Sequence, residues 1–142
     1  MAERMPGAMK ARAIFETVLY AKDIDRAEEF YRRVFGLEVL RRGAAAVVFR
    51  CGAGVLLVFD PDAARRPGRP VPSHGTEGAG HVAFSMPDAE IESWREHLKA
   101  NSVPIEMEVA WPEGGRSIYV RDPAGNSVEL APPTIWGGGW QF

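Results

Sequence analysis

The sequence has little of several features that would point to a compartment or a class of partner. Its 142 residues include a single cysteine, Cys51, which excludes an internal disulfide and a cysteine-based zinc site. The formal net charge of −2 gives no sign of a polyanion-binding surface, so nucleic acid is not expected as a partner. No apolar run approaches the roughly 18 residues that a membrane helix needs. The N-terminus also has no apolar core of the signal-peptide type, and we expect a cytoplasmic protein without a membrane partner.

What the chain does contain is an internal duplication. Glu16 and His81 stand 65 positions apart in similar β-rich segments. Further along, Arg50 and Arg121 stand 71 positions apart, again in similar strands. The drift of six positions indicates extra residues in the second copy, most simply around 108–115. A duplication of this kind places equivalent strands around a shared cleft.

The residue pattern of each copy predicts the same order of elements. Apolar alternation predicts strands, and apolar residues at helical spacing after Asp23 and after Asp88 predict one helix in each copy. The chain is therefore predicted to be an α+β protein of two tandem βαβββ modules that form a cupped mixed sheet. The predicted parts are a flexible leader at 1–11, module 1 at about 12–60, a connector at 61–79, module 2 at about 80–131 and an aromatic C-terminal tail at 132–142, with 12–131 forming a single domain.

Two of these parts are long segments without predicted structure. The connector at 61–79 is rich in Pro, Gly and Arg, and it is either a tether between the modules or a lid. The tail carries Trp136, Trp140 and Phe142 among glycines. Aromatic residues in such a tail are expected to dock on this chain or on a partner.

Strand alternation places three candidate metal ligands on one concave surface. In strands, alternate side chains share a face, and the mostly apolar faces are expected to pack on the helices. This leaves Glu16, His81 and Glu129 pointing away from the helices. Three ionisable side chains on one concave face are costly to bury unpaired, and a bound cation removes that cost. One imidazole and two carboxylates suit Zn, Fe, Mn, Co or Ni, without a choice among them.

The segments around these residues resemble a known superfamily. They read ETVLYAKDIDRAEEFYRRVFGL from Glu16, GHVAF from Gly80 and YVRDPAGNSVEL from Tyr119. They resemble the vicinal oxygen chelate superfamily, which includes glyoxalase I, fosfomycin resistance proteins, extradiol dioxygenases, methylmalonyl-CoA epimerase and bleomycin-binding proteins. The resemblance covers about 14–131 and implies paired βαβββ modules around one divalent metal ion. It places the ligands at Glu16, His81 and Glu129.

The resemblance also implies a homodimer, in which the two halves of one cup come from one chain or are exchanged between two. Two departures from the superfamily pattern matter for the site. The 71-residue spacing maps Glu129 onto Val58, which cannot ligate, so a four-ligand site of the glyoxalase I kind is not expected. The first ligand position holds Glu16 in place of His, and the extra negative charge favours a harder cation.

Further site candidates surround the predicted metal. Glu129, displaced from the metal, and Tyr20 are the candidate catalytic bases. The candidate substrate-binding residues are Arg50, His74, Trp111, Arg116, Tyr119 and Arg121. The simpler alternatives are ion pairs for the arginines and for the two glutamates, packing for Tyr20, a hydrogen-bonded core position for His81 and an ordinary loop position for His74.

Two functions follow from this pattern. The first is a metal-dependent enzyme, glyoxalase-like or dioxygenase-like, that acts on a small oxygenated metabolite chelated to the metal. The lyase, isomerase and dioxygenase classes all stay open. The alternative is a non-catalytic protein that binds a small molecule or an antibiotic, as bleomycin-resistance proteins do. The three ligands in register favour the enzyme.

Overall fold

The structure is a computed structural model that describes residues 9–142. Part of the predicted leader, residues 1–8, lies outside the described residues. Among the described residues, no helix is both long enough and apolar enough to cross a bilayer.

The first module has the predicted order of elements. Its elements are β1 (Glu16–Tyr20), α1 (Ile24–Phe35), β2 (Glu38–Arg42), β3 (Ala46–Cys51) and β4 (Gly54–Phe59). The strands form one sheet in the order β1-β4-β3-β2, with β1 parallel to β4 and the other neighbours antiparallel.

The second module repeats this topology. Its elements are β5 (His81–Ser85), a 3₁₀ turn (Asp88–Glu90), α3 (Ile91–Ala100), β6 (Met107–Ala110), β7 (Arg116–Arg121) and β8 (Ser127–Ala131). The strand order β5-β8-β7-β6, with β5 parallel to β8, matches the first sheet position by position. The α+β class and the two tandem modules are therefore confirmed.

Local sequence explains the limits of α1. The Asp23 carboxylate accepts a hydrogen bond from the Arg26 backbone N–H at 3.0 Å, which caps the first turn. Gly36 ends the helix with φ of 65°, a left-handed conformation that glycine adopts without steric cost. Between these caps, Ala27, Tyr31 and Val34 turn one face of the helix into the core.

The two modules share one hydrophobic core. Phe35, at the end of α1, packs against Phe84 of β5 with ring centroids 4.8 Å apart, and against Trp94 of α3 at 5.9 Å. The buried Tyr31 hydroxyl donates to Asp122, in the loop that follows β7, at 2.8 Å. The helix of module 1 is therefore bonded and packed directly against module 2.

The connector is more ordered than its composition suggests. It begins with a short helix, α2 (Pro61–Arg65), where the sequence predicted no regular structure. The Asp60 carboxylate caps this helix, and Pro61 takes the first helical position, where its missing N–H has no cost. Later in the connector, the His74 N–H and the Arg69 guanidinium both donate to the Ala64 carbonyl, at 3.0 and 2.9 Å. The segment is therefore folded back on α2.

Candidate functional site

His81 and Glu129 meet on one face of the second sheet. In the parallel pair β5–β8, Glu129 stands opposite Ala83, two residues along from His81. Residues two apart in a strand share a face, so the two side chains point the same way. Their Nε2 and Oε1 atoms are 3.3 Å apart. Glu129 is only 6% exposed, whereas the His81 side chain is half exposed at 51%.

A second contact determines how the imidazole is protonated. His81 Nδ1 lies 3.1 Å from the carbonyl oxygen of Ser127. Because a carbonyl oxygen only accepts, Nδ1 carries hydrogen and donates to it. Two arrangements are then open to Nε2. Either its lone pair points at the Glu129 carboxylate, which repels it, or Nε2 binds a cation that lies between the two groups. That cation is a proton or a metal ion. Metal-binding histidines are held by a backbone carbonyl at the other ring nitrogen in the same way.

Glu129 supplies the second observation that fits a metal. Its Oε2 atom is buried and has no hydrogen-bond partner among the described residues. A buried polar atom without a partner costs roughly 1–3 kcal/mol, and more when the group is charged. A divalent cation would satisfy both this oxygen and the Nε2 lone pair. The two residues therefore fit the implied metal ion.

Aromatic side chains border this pair. Tyr119 stands opposite Glu129 in the β7–β8 ladder, and its ring stacks on His81 with centroids 6.3 Å apart. Burial, followed by the charge and hydrogen bonding of Glu129, raises the pKa of the Tyr119 phenol. Trp111 is fixed in place because its indole N–H donates to the Ser117 hydroxyl at 2.8 Å. Because its pKa is raised, the Tyr119 phenol keeps its proton and is available as a hydrogen-bond donor.

The pair and these aromatics line a cavity of about 300 Å³. The volume is at the lower end of the range for small-molecule sites. Tail residues complete the lining, among them Trp136 and Phe142. Of the predicted site residues, the cavity thus brings together His81, Trp111, Tyr119 and Glu129.

Glu16 does not join His81 and Glu129 within the chain. It is the first residue of β1, it is exposed, and it stands opposite Val55. Across residues 9–142, no group of three or more His, Cys, Asp or Glu side chains is placed to hold a metal ion. One chain therefore presents two of the three predicted ligands together.

The sheet registers correct one correspondence between the modules. His81 stands opposite Ser127, and its equivalent Glu16 stands opposite Val55, so the offset in β4 and β8 is 127 − 55, or 72 residues. Glu129 therefore corresponds to residue 129 − 72, which is Leu57, and not to Val58 as the 71-residue spacing predicted.

The cause of this error is one extra residue in a loop. Arg50 pairs with Val55 across four intervening residues, whereas Arg121 pairs with Ser127 across five. Equivalent positions of the two modules are therefore 71 residues apart before this loop and 72 residues apart after it. Val58 is fully buried in the core. Leu57 also cannot ligate, so the expectation of no fourth ligand stays the same.

The three arginines predicted to bind substrate lie outside this cavity. Arg121 makes bonds of 2.5 and 3.0 Å to the Glu106 carboxylate. Arg50 lies 3.5 Å from Glu38. Arg116 stands opposite Ala110 in the β6–β7 pair. Its side chain lies on the other face of β7 from that of Ser117, and this other face is the one that packs on the helices. Arg121 and Arg50 therefore form ion pairs within the chain, which was the simpler alternative to substrate binding.

Tyr20 and His74 also lie away from the His81–Glu129 cavity. The Tyr20 hydroxyl is 2.7 Å from His74 Nδ1, and the His74 ring meets Phe59 edge-on at 4.9 Å. Tyr20 borders a different cleft of about 650 Å³, beside Lys22 and Arg26 at the start of α1. The larger cleft is thus separate from the cavity that holds His81 and Glu129.

One residue that positions the site was read only as part of a turn. The Asn126 side chain accepts from the Gly80 N–H at 2.7 Å and donates to the Tyr20 carbonyl at 3.0 Å and to Asp122 at 2.9 Å. It thereby fixes the residue before His81. The turn sequence DPAGN carries Asn126, but sequence alone did not indicate that its amide reaches across to β5 and β1.

Comparison with known proteins identifies the family of this arrangement. The model of the Glyoxalase/Bleomycin resistance protein/Dioxygenase superfamily matches residues 13–130. The chain belongs to this superfamily. The vicinal oxygen chelate resemblance is therefore confirmed over nearly the whole domain.

Individual members of the superfamily are similar to different degrees. A crystal structure of lactoylglutathione lyase from Agrobacterium tumefaciens superposes with a TM-score of 0.88 at 45% identity, covering 92% of this chain and all of that one (100%). The metallothiol transferase FosB of Staphylococcus epidermidis is 30% identical over 110 residues, 76% of this chain and 74% of FosB. Lactoylglutathione lyase from Pseudomonas putida is 26% identical, with 83% of each chain covered.

Proposed function

We propose that this protein is a divalent-metal-dependent enzyme of the glyoxalase kind, acting on a small oxygenated metabolite. The observation that carries the proposal is the His81–Glu129 pair, in which an imidazole Nε2 and a buried carboxylate face one another at 3.3 Å. The 45% identity to a protein described as lactoylglutathione lyase favours lyase or isomerase chemistry over the dioxygenase alternative.

His81 and Glu129 supply two ligands, and we propose that Glu16 of a second copy supplies the third. Glu16 is exposed and is not clustered with the other two in its own chain. The face of β1 and β4 that carries it is apolar and only half buried, through Val18 and Leu57. Near its start, Ile14 and Phe15 are 86% and 66% exposed. An apolar surface of this kind is typical of an interface, which supports an exchanged homodimer.

The chain's own residues have defined tasks in this proposal. The metal, when bound, supplies Lewis-acid polarisation of the substrate oxygens. Glu129, whose Oε2 has no hydrogen-bond partner within residues 9–142, would hold the metal, and it is the carboxylate that could take up a substrate proton when displaced from it. The Tyr119 phenol, whose pKa is raised by burial and by Glu129, stands opposite Glu129 in the sheet and is the neighbouring group that can act as a proton or hydrogen-bond donor. Tyr20 would be brought to the site by the copy that supplies Glu16, since both lie on one face of β1.

Elemental analysis of untagged protein tests the site. We expect about one equivalent of divalent metal per chain, removed by a chelator and restored by Mn²⁺ or Zn²⁺. Glu129→Ala and His81→Ala should lose the metal, whereas Glu90→Ala, an exposed glutamate outside the cavity, should retain it. Full metal occupancy in the Glu129 and His81 variants would contradict the assignment.

Turnover is then assayed with lactoylglutathione. Tight small-molecule binding without any metal would support the binding-protein alternative.

Mixing two defective variants tests the exchange. If Glu16 crosses to the partner, unfolding and refolding Glu16→Ala together with Glu129→Ala should restore about a quarter of the sites, because half of the random dimers contain one intact site. Mixing His81→Ala with Glu129→Ala is the matched control and should restore none, because both ligands come from the same chain. No recovery in the first mixture would show that Glu16 does not act across an interface.

A further inference from the structure

The tail that follows β8 borders the cavity that holds His81 and Glu129. We propose that this tail, residues 132–142, closes over the cavity and selects substrates that carry a flat apolar substituent beside their chelating oxygens. This inference rests on the proposed function, because it takes the cavity to be the place where the substrate binds.

Two tail aromatics stand at the cavity in open positions. Trp136 and Phe142 both line it, yet they are 79% and 90% exposed. A large aromatic side chain has 150–250 Å² of surface, so leaving two such rings in water gives up a large hydrophobic contribution. If the two rings packed on an apolar substituent of a bound ligand, they would be removed from water and this hydrophobic contribution would be recovered.

Two further aromatic residues of the cavity lining belong to the second module and are held in place. Trp111 is held by its bond to Ser117, and Tyr119 by its stacking on His81. A substituent that enters the cavity would therefore meet these held rings as well as the two exposed rings of the tail. Aromatic rings favour offset stacking or edge-to-face contact at centroid separations of 4.5–7 Å, which suits a flat group.

The tail has an anchored beginning and a hinge. It leaves β8 at Ala131, whose carbonyl accepts from the Met86 N–H at 2.9 Å, and it then forms a 3₁₀ turn over Pro133–Trp136. Three glycines follow, 137–139, of which the first and third have φ of 90°. Apart from adjacent residues, the described part of the chain places no atom within 4 Å of their Cβ positions. Glycine adopts both signs of φ readily, so the last three residues can swing about this point.

Within residues 9–142, one long hydrogen bond ties the end of the tail back to its beginning. Its last residues are bonded back through the Trp140 indole N–H, which donates to the Trp136 carbonyl at a long 3.4 Å. Trp140 is 55% exposed and does not line the cavity. It is therefore a neighbouring tryptophan against which a specific effect of Trp136 can be measured.

Two hydroxamates that differ only in their substituent test the proposal. Acetohydroxamate and benzohydroxamate both chelate a divalent ion through adjacent oxygens, and calorimetry gives their affinities for the Mn²⁺-loaded protein. We expect benzohydroxamate to bind about tenfold more tightly, the equivalent of about 1.4 kcal/mol. Trp136→Ala and a chain ending at Gly137 should lose this preference while binding acetohydroxamate as before. Trp140→Ala should keep it.

The outcomes separate the inference from the function on which it rests. Equal affinities in the wild-type protein, or a preference that survives removal of residues 138–142, would overturn the role of the tail alone. A change in sedimentation on removing the tail would assign it to an interface and would also overturn the inference. If neither hydroxamate binds the loaded protein, the proposed function fails together with it.

Discussion

At the scale of single residues, the unusual group is Glu129. It is 6% exposed, and one of its carboxylate oxygens is buried without a hydrogen-bond partner among residues 9–142. Its equivalent in module 1 is Leu57, an apolar residue at the same point of the same topology. Proteins often lose stability at positions that chemistry requires, so Glu129 is expected to lower the stability of the metal-free fold.

Replacing Glu129 by leucine tests this cost. We expect Glu129→Leu to raise the free energy of unfolding of the metal-free protein by about 1 kcal/mol, because it removes an unpartnered buried oxygen. The measurement is urea unfolding in the presence of a chelator. Glu16→Leu is the matched control, since Glu16 is exposed and its replacement should gain nothing by this route. A lower urea midpoint for Glu129→Leu would show that its contact with His81 outweighs the unpartnered oxygen.

For single residues, predictions from the sequence are correct where strand alternation alone decides on which face a side chain lies. Alternation predicted that His81 and Glu129 share a face, and the β5–β8 register confirms it. It could not give the length of the loop between β7 and β8, so Val58 was taken for Leu57. Whether Glu16 reaches the site from a second copy, as proposed, depends on how two surfaces meet, and no pattern within the sequence carries that information.

At the scale of elements, the edge strand β6 and the residue just before it are tied down by two ion pairs. The Arg95 guanidinium of α3 binds Glu108 through bonds of 2.5 and 3.1 Å. Arg121 of β7 binds Glu106 in the same two-pronged way. Hydrogen bonding, followed by the charge of these arginines, lowers the pKa of both Glu106 and Glu108 below its ordinary value of 4.5.

These lowered pKa values predict how stability changes with acid. A carboxyl whose pKa is lower in the folded state stabilises the fold above its unfolded pKa, and this contribution is lost as the pH falls through the folded value. We expect Glu106→Gln/Glu108→Gln to reduce the fall in thermal midpoint between about pH 5 and pH 3. Both pairs are partly exposed, so the effect should be small and should shrink further in high salt. An acid profile identical to wild type would show that the pairs contribute nothing in solution.

Elements were predictable where local signals were strong. Asp23 and Gly36 mark α1 at both ends, and the structure has a helix between them. The helix α2 was missed because its pattern, Asp60 followed by Pro61, is short and lies in a Pro- and Gly-rich segment. Its place depends on later connector residues that bond back to Ala64, contacts that composition does not reveal.

At the scale of the whole molecule, the shared core makes the two modules one cooperative unit. The Phe35–Phe84 contact and the bond from Tyr31 to Asp122 both cross between the modules. A domain with one core unfolds in a single transition when it is of this size. The modules are therefore expected not to unfold separately, despite their separate sheets.

The distribution of tryptophan provides the test. All four tryptophans, Trp94, Trp111, Trp136 and Trp140, belong to module 2 and the tail, so their fluorescence reports on that half. Far-UV circular dichroism reports on both halves. We expect the two urea transitions to coincide, and Phe84→Ala to shift both together by about 3 kcal/mol. A dichroism change that precedes or follows the fluorescence change would show that module 1 unfolds independently.

The correspondence between Leu57 and Glu129 also bears on how sites of this kind diverge. Duplication has left the first module with a half-buried apolar side chain at the point where the second carries the proposed ligand Glu129, on the same face as Glu16. A carboxylate introduced there, as in Leu57→Glu, would raise the proposed donor set from three to four without any change in the backbone. The number of coordination positions left open for substrate would then depend on a single side chain, which a lineage can gain or lose while the fold is unaltered.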